Sequence, residues 1–105
     1  MSREAPKPID PAKKAAVLTQ INDVFARGVP HNLAMGLEVV DYDHGVAVAR
    51  LPYAEKLVGD PSTGILHGGA ITSMMDAVCG ASVFLRMKVP RRVATLDLRI
   101  DYLKP

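Results

Sequence analysis

The chain has 105 residues, with 13 Lys and Arg against 11 Asp and Glu, a net charge of +2, and 49% hydrophobic and 23% charged residues. At about 100 to 200 residues per domain this excludes a second domain, and the composition excludes a disordered chain and the strongly basic surface that a nucleic-acid partner needs. A core of this size buries only about two-thirds of the unfolded chain's surface, so association with a partner is expected. The single cysteine, Cys79, excludes an internal disulfide and a Cys/His zinc cluster, which fits a reducing compartment.

Residues 1–8 are polar and Pro-bearing and read as a mobile arm without the apolar region of a secretory signal, which leaves the cytoplasm as the expected location. Asp10 can cap a helix whose first residue is Pro11, and Val17, Ile21, Val24 and Phe25 recur at helical spacing until Gly28, predicting an amphipathic helix of about 16 residues. Val29 to Asn32 reads as a loop. Leu33 to Tyr42 and Val46 to Leu51, around Asp43, His44 and Gly45, predict a β-hairpin. From Pro52 to Gly64 the chain is dense in turn formers and is expected to be irregular.

His67 to Met87 carries only Asp76 and Arg86 as charges, and Ile71, Met74, Met75, Val78, Ala81 and Leu85 cover a broad apolar arc. Such a helix is expected to be buried. A transmembrane reading of Ile65 to Leu85 is rejected, because a central Asp76 alone costs about 2.5 kcal/mol or more in a bilayer. Lys88 to Arg92 forms a basic turn, with Pro90 as breaker; with Arg86 it could contact the phosphates of a charged ligand, and it is read as solvated. Leu96, Leu98, Ile100 and Tyr102 then alternate with Thr95, Asp97, Arg99 and Asp101, the period-two signature of a strand. The order helix, hairpin, buried helix, strand predicts an α+β domain with a helix packed on an antiparallel sheet.

The chemistry concentrates at the long helix. Gly68 and Gly69 at its start expose backbone N–H groups where the helix dipole is positive, and such donors can hold an anion or a developing oxyanion; equally, two glycines let a helix begin tightly against its neighbour. Asp76 shares a stripe with the small residues Gly69, Thr72, Ser73, Cys79 and Gly80, which leaves room for a ligand. Burial there would raise its pKa toward that of a general base, whereas a buried Asp can also simply be hydrogen-bonded. Gly69 and Asp76 are separated by about 10.5 Å of helical rise, so a second subunit would be needed to bring them to one site. His67, just before the helix, could donate to a substrate or hold the loop by its ring nitrogens, and is read as structural. Cys79 is read as inert packing. No Gly-x-Ser-x-Gly elbow, phosphate-binding glycine loop or His-Glu-x-x-His motif is present, so no cofactor or metal is expected.

The run from Gly64 through His67, Gly68 and Gly69 to Asp76, nine positions after the His, followed by Val93 to Pro105 with Thr95, Leu96, Asp97, Leu98, Ile100, Tyr102 and Leu103, closely resembles the hotdog-fold thioesterases of the phenylacetate-type acyl-CoA group. Weaker similarity extends back through His31 to Leu37 and Arg50 to Tyr53. The resemblance implies a long central helix wrapped by an antiparallel sheet, association as a dimer or tetramer, and active sites at a dimer interface. It further implies that the Gly68 N–H polarises a thioester carbonyl, that Asp76 of the other subunit activates water or attacks, that Thr95 helps hold the water and that His67 supports the turn. Gly69, Asp60, Asn32 and Ser73 are the matching candidates for substrate binding. Where relatives often carry Asn before the Gly-x-x-His turn, this chain has Asp60 and Pro61, and an ionised Asp cannot donate the amide hydrogen bond.

The expected activity is hydrolysis of an acyl-CoA to a carboxylic acid and free CoA. The alternative is a non-catalytic hotdog module that binds acyl-CoA, distinguished by ligand affinity without thiol release; a hydratase of the same fold ranks last. No nucleic-acid or membrane partner is expected. Related domains continue past this last strand by roughly 30 to 40 residues in about three strands, so the domain at 9–105 is expected to be incomplete at its C-terminus and to leave the Leu96–Tyr102 strand as an edge.

Overall fold

In a computed structural model the described residues are 7–89 and 91–104. Most of the expected mobile arm, Pro90 and Pro105 lie outside them. The first helix, α1 (Pro11–Ile21), begins as its sequence predicts: the Asp10 carboxylate accepts from the Lys13 N–H at 3.2 Å, and Pro11 occupies the first turn. The helix does not stop at Ile21 but runs on as a π-helical turn over Asn22–Ala26, so its length matches the expectation and its winding does not. Asn22 is the cause. Its side-chain amide donates to the Leu18 carbonyl at 3.0 Å and to the Val39 carbonyl at 2.8 Å, and its oxygen accepts from the Val39 N–H at 2.8 Å.

The segment expected as a loop running into a strand is instead a second helix, α2 (Pro30–Met35). Pro30 opens it, and Gly36, at φ 80°, closes it by donating to the carbonyls of Asn32 and Leu33. Six residues are too few for an apolar period to register, which is why the pattern there read as extended. β1 (Glu38–Asp43) and β2 (Val46–Arg50) form the predicted antiparallel hairpin, with Gly45 at φ 75° in the turn and a bulge between Val39 and Asp41. A second small ladder pairs β3 (Val58–Asp60) with β4 (Ile65–Leu66) inside the stretch expected to be irregular. Three- and two-residue strands are below the reach of an alternation pattern.

The long helix α3 (Gly68–Arg86) has the predicted limits to within a residue, with His67 as its cap. It packs against β2, where the Ser82 hydroxyl accepts from the Ala47 N–H at 3.1 Å. Ala81 closes one core cluster with Ile21 and Val39, and Ala70 closes another with Met35 and Leu57. Those two alanines are the buried residues of α3 among the described residues, which corrects the expectation of a helix buried over most of its circumference. One face meets the sheet and the N-terminal helices, and the rest of the apolar arc stays partly open in a single protomer. By length and composition α3 could cross a membrane. Asp76 at its middle and the packing of Ala70 and Ala81 make it instead the core helix of this domain.

The predicted strand at Leu96–Tyr102 has no ladder partner among the described residues and is not a strand. Leu98 and Ile100 are half-buried, in keeping with one inward face, but Leu96 is fully exposed. Alternation specifies which side chains face inward; a strand also needs a neighbour to bond. The architecture is α+β, with α3 laid on an open antiparallel sheet, the central-helix arrangement of a hotdog fold.

Candidate active site

A cavity of about 690 Å³ opens along the free side of α3, between Ser73 and Phe84, the π-helical turn with Val24 and Phe25, the start of α2 and the segment Arg91–Thr95. It brings together four residues singled out in the sequence: Asn32, Ser73, Asp76 and Thr95. The Thr95 hydroxyl donates to Asp76 Oδ1 at 2.6 Å. Among the described residues Asp76 Oδ2 has no hydrogen-bond partner, so one carboxylate oxygen is held and the other is free to accept. Asp76 is exposed in the single protomer, which corrects the expected burial of its carboxylate. Asn32 is buried, and its amide donates to the Phe25 carbonyl at 2.7 Å. That bond ties α2 to the π-helical turn.

Sequence reasoning missed His31, whose Nε2 lies 3.1 Å from Ser73 Oγ across the cavity. A histidine inside what reads as a loop gives no signal of its own, and only the fold of α2 brings it to α3. Arg91 and Arg92, read as part of a solvated basic turn, are exposed and also line the cavity.

The other candidates sit at the opposite pole, the N-terminus of α3. His67 Nδ1 accepts from the Gly69 N–H at 2.8 Å, so His67 caps the helix, as its structural reading expected, and Gly69 has its donor committed. Gly68 N–H donates to nothing among the described residues. The Tyr102 hydroxyl donates to the Gly68 carbonyl at 2.7 Å and meets the Thr72 hydroxyl at 2.7 Å, and a Cβ on Gly68 would come within 3.3 Å of the same oxygen. The 91–104 segment is thus pinned at both ends of the site, by Thr95 on Asp76 and by Tyr102 on Gly68. Gly59 passes so close that a Cβ on it would lie 2.8 Å from the His67 backbone, which explains a glycine at the β3–β4 ladder.

Asp60 lies outside the cavity and organises the turn that leads to this pole. Its Oδ1 accepts from the Ser62 hydroxyl at 2.7 Å and the Ser62 N–H at 3.0 Å, and Oδ2 accepts from the Thr63 hydroxyl at 3.0 Å. These bonds, the Ser62 hydroxyl first, hold the Asp60 carboxyl below the usual carboxylate range. A lowered folded-state pKa means that this support is present above the ordinary carboxylate value and is lost only as pH falls through the lowered one. Protection of the Ser62, Thr63 and Gly64 amides, as exchange relative to the intrinsic rate at each pH, is therefore expected to persist to mildly acid pH and to be lost only in stronger acid. In Asp60→Ala this protection should be low throughout.

Residues 63–105 match the thioesterase superfamily. The medium/long-chain acyl-CoA thioesterase YigI of Salmonella typhimurium is 33% identical over an alignment covering 84% of this chain and 65% of that protein, and the YigI of Escherichia coli is 32% identical with the same coverage. The chain spans about 65% of the length of these curated relatives. An X-ray structure of a protein from the thioesterase superfamily superimposes with a TM-score of 0.70 at 26% identity, covering 82% of this chain and 64% of that one. Through residues 63–105, with the relatives and the shared fold alongside, this chain is similar to the thioesterase superfamily.

Proposed function

We propose that this protein hydrolyses acyl-CoA thioesters to a carboxylic acid and free CoA. The observation that carries the reading is the Asp76–Thr95 pair in the wall of a ligand-sized cavity. Thr95 orients the carboxylate through Oδ1, and Oδ2 takes a proton from water as the water oxygen attacks the thioester carbonyl carbon. The C–S bond then breaks, and the CoA sulfur leaves and takes up a proton. The carbonyl oxygen needs a donor, and Gly68 N–H at the start of α3 has the right chemistry. Gly68 and Asp76 are about 12 Å apart along one helix, so the Gly68 facing a given Asp76 belongs to a second copy of the chain, in a dimer or larger assembly. Tyr102 and Thr72 hold the Gly68 carbonyl and so fix the first turn of α3 that carries this N–H. Arg91 and Arg92 at the cavity suit the phosphates of CoA. The cytoplasm, where acyl-CoA is found, is the compartment that fits.

Within the superfamily, the motif around His67 and Asp76 supports a phenylacetate-type member, whereas the YigI relatives carry medium- and long-chain names. Both classes are tested together. Thiol release from a panel of aromatic, medium-chain and long-chain acyl-CoAs is expected to show turnover of at least one class. Binding without release from every member would establish a non-catalytic acyl-CoA module instead.

A further inference from the structure

We propose that Ser73 hands the leaving sulfur of CoA the proton it takes up, and that His31 behind it is the source of that proton; this rests on the thioesterase reading of Asp76. The pair is assembled from two helices. His31 Nε2, from the first turn of α2, lies 3.1 Å from Ser73 Oγ on α3, and both residues line the cavity that holds Asp76. A hydroxyl inside a helix often turns back to the carbonyl four residues earlier. Thr72 does so, donating to the Gly68 carbonyl at 3.1 Å. Ser73, the next residue, does not: among the described residues its hydroxyl has His31 as its partner and none on its own helix.

Ser73 stands three residues before Asp76, so the two side chains are neighbours on one face of α3, with Cβ atoms about 5 to 6 Å apart. A thioester carbon attacked by water at Asp76 brings its sulfur, one bond away, within reach of the Ser73 hydroxyl. The other polar groups of the cavity do not supply this proton. Thr95 donates to Asp76, the Asn32 amide is no acid, and the guanidinium groups of Arg91 and Arg92 stay protonated as fixed charges. An imidazolium carries a transferable proton. With the ring protonated, Nε2–H donates to Ser73 Oγ and leaves the Ser73 hydrogen to face the cavity. As the tetrahedral intermediate collapses, the C–S electron pair goes to sulfur, Ser73 O–H gives its proton to the sulfur, and the Nε2 proton replaces it on Oγ. His31 is left neutral, and Asp76 holds the proton taken from water. Both are exposed, so solvent returns each to its starting form before the next turnover.

The test follows thiol release from an acyl-CoA and, in parallel, from the para-nitrophenyl thioester of the same acyl group, whose thiolate leaves without a proton. His31→Gln, which keeps a hydrogen bond to Ser73 but has no proton to give, and Ser73→Ala are each expected to lower kcat on acyl-CoA by about 10²-fold, the lower end for positioned proton transfer because a thiolate is a weak base. KM and the thermal midpoint should be nearly unchanged, and so should turnover of the nitrophenyl thioester. Imidazole added to His31→Ala should restore much of the lost turnover, and should not do so in Ser73→Ala. Equal losses on both thioesters would make the pair a merely structural contact and overturn the proposal. Full turnover of acyl-CoA in the variants overturns it too, since Asp76 or solvent then protonates the sulfur. If the nitrophenyl thioester is not accepted, the imidazole arm decides: rescue supports the relay and its absence overturns it. In all these outcomes the thioesterase reading stands. An unaltered protein that releases no thiol from any acyl-CoA overturns that reading, and the relay with it.

Discussion

Asp76→Asn is expected to lower kcat for acyl-CoA hydrolysis by about 10² to 10⁴-fold, the usual contribution of a positioned general base, with little change in KM or in the thermal midpoint. The amide has the shape of the carboxylate and its oxygen still accepts from the Thr95 hydroxyl, so the 2.6 Å contact can persist while the proton acceptor is lost. Asp76 is exposed and closes no core cluster, which is why folding should be spared. Thr95→Val supplies the graded comparison: the base remains but is no longer oriented, and a smaller loss of kcat is expected. Full turnover in Asp76→Asn, with thiol release followed under saturating substrate, would remove Asp76 from the mechanism.

The largest effect on stability is expected at Asn22→Leu. Asn22 lies along the free edge of β1 as a one-residue substitute for a neighbouring strand, giving its oxygen to the Val39 N–H and its amide to the Val39 carbonyl. Both Val39 and Asn22 are buried. Leucine fills similar space but leaves two buried backbone groups without partners, at about 1 to 3 kcal/mol each. That is a large share of the roughly 5 to 15 kcal/mol by which a domain is stable. Urea unfolding should show a midpoint lowered to match, with the slope unchanged; Asn22→Asp should also be destabilised, since a carboxylate offers no donor to the Val39 carbonyl. A midpoint within error of the unaltered protein would show that the Val39 groups find other partners.

Asn22 also shows where legibility in the sequence ended. It sits in a helical pattern that Val17, Ile21, Val24 and Phe25 make plain, and nothing in that pattern distinguishes it from a solvated polar residue. Its partner is 17 positions away on a bulged strand, and only the packed chain reveals that the helix widens there to serve both. His31 and Ser73, 42 positions apart, met for the same reason. Long-range pairs of polar side chains leave no local period. α1 and α3, by contrast, were legible because caps and apolar spacing act within a few residues, and the hairpin because Gly45 and its Val-rich arms do likewise.

The α+β class, the limits of α3 and the hairpin were legible in the sequence, because each rests on local hydrogen bonding or side-chain period. Three further features depend on packing between distant segments. The tertiary structure paired Thr95 with Asp76 and Tyr102 with Gly68. It set Asp60 in a turn outside the cavity and tied the cavity-lining Asn32 to the π-helical turn. It also left Asp76 and the Leu96–Tyr102 segment open where burial and a strand had been expected. Burial and strand pairing are properties of neighbours, and neighbours are set by how distant segments pack, which no stretch of sequence encodes alone.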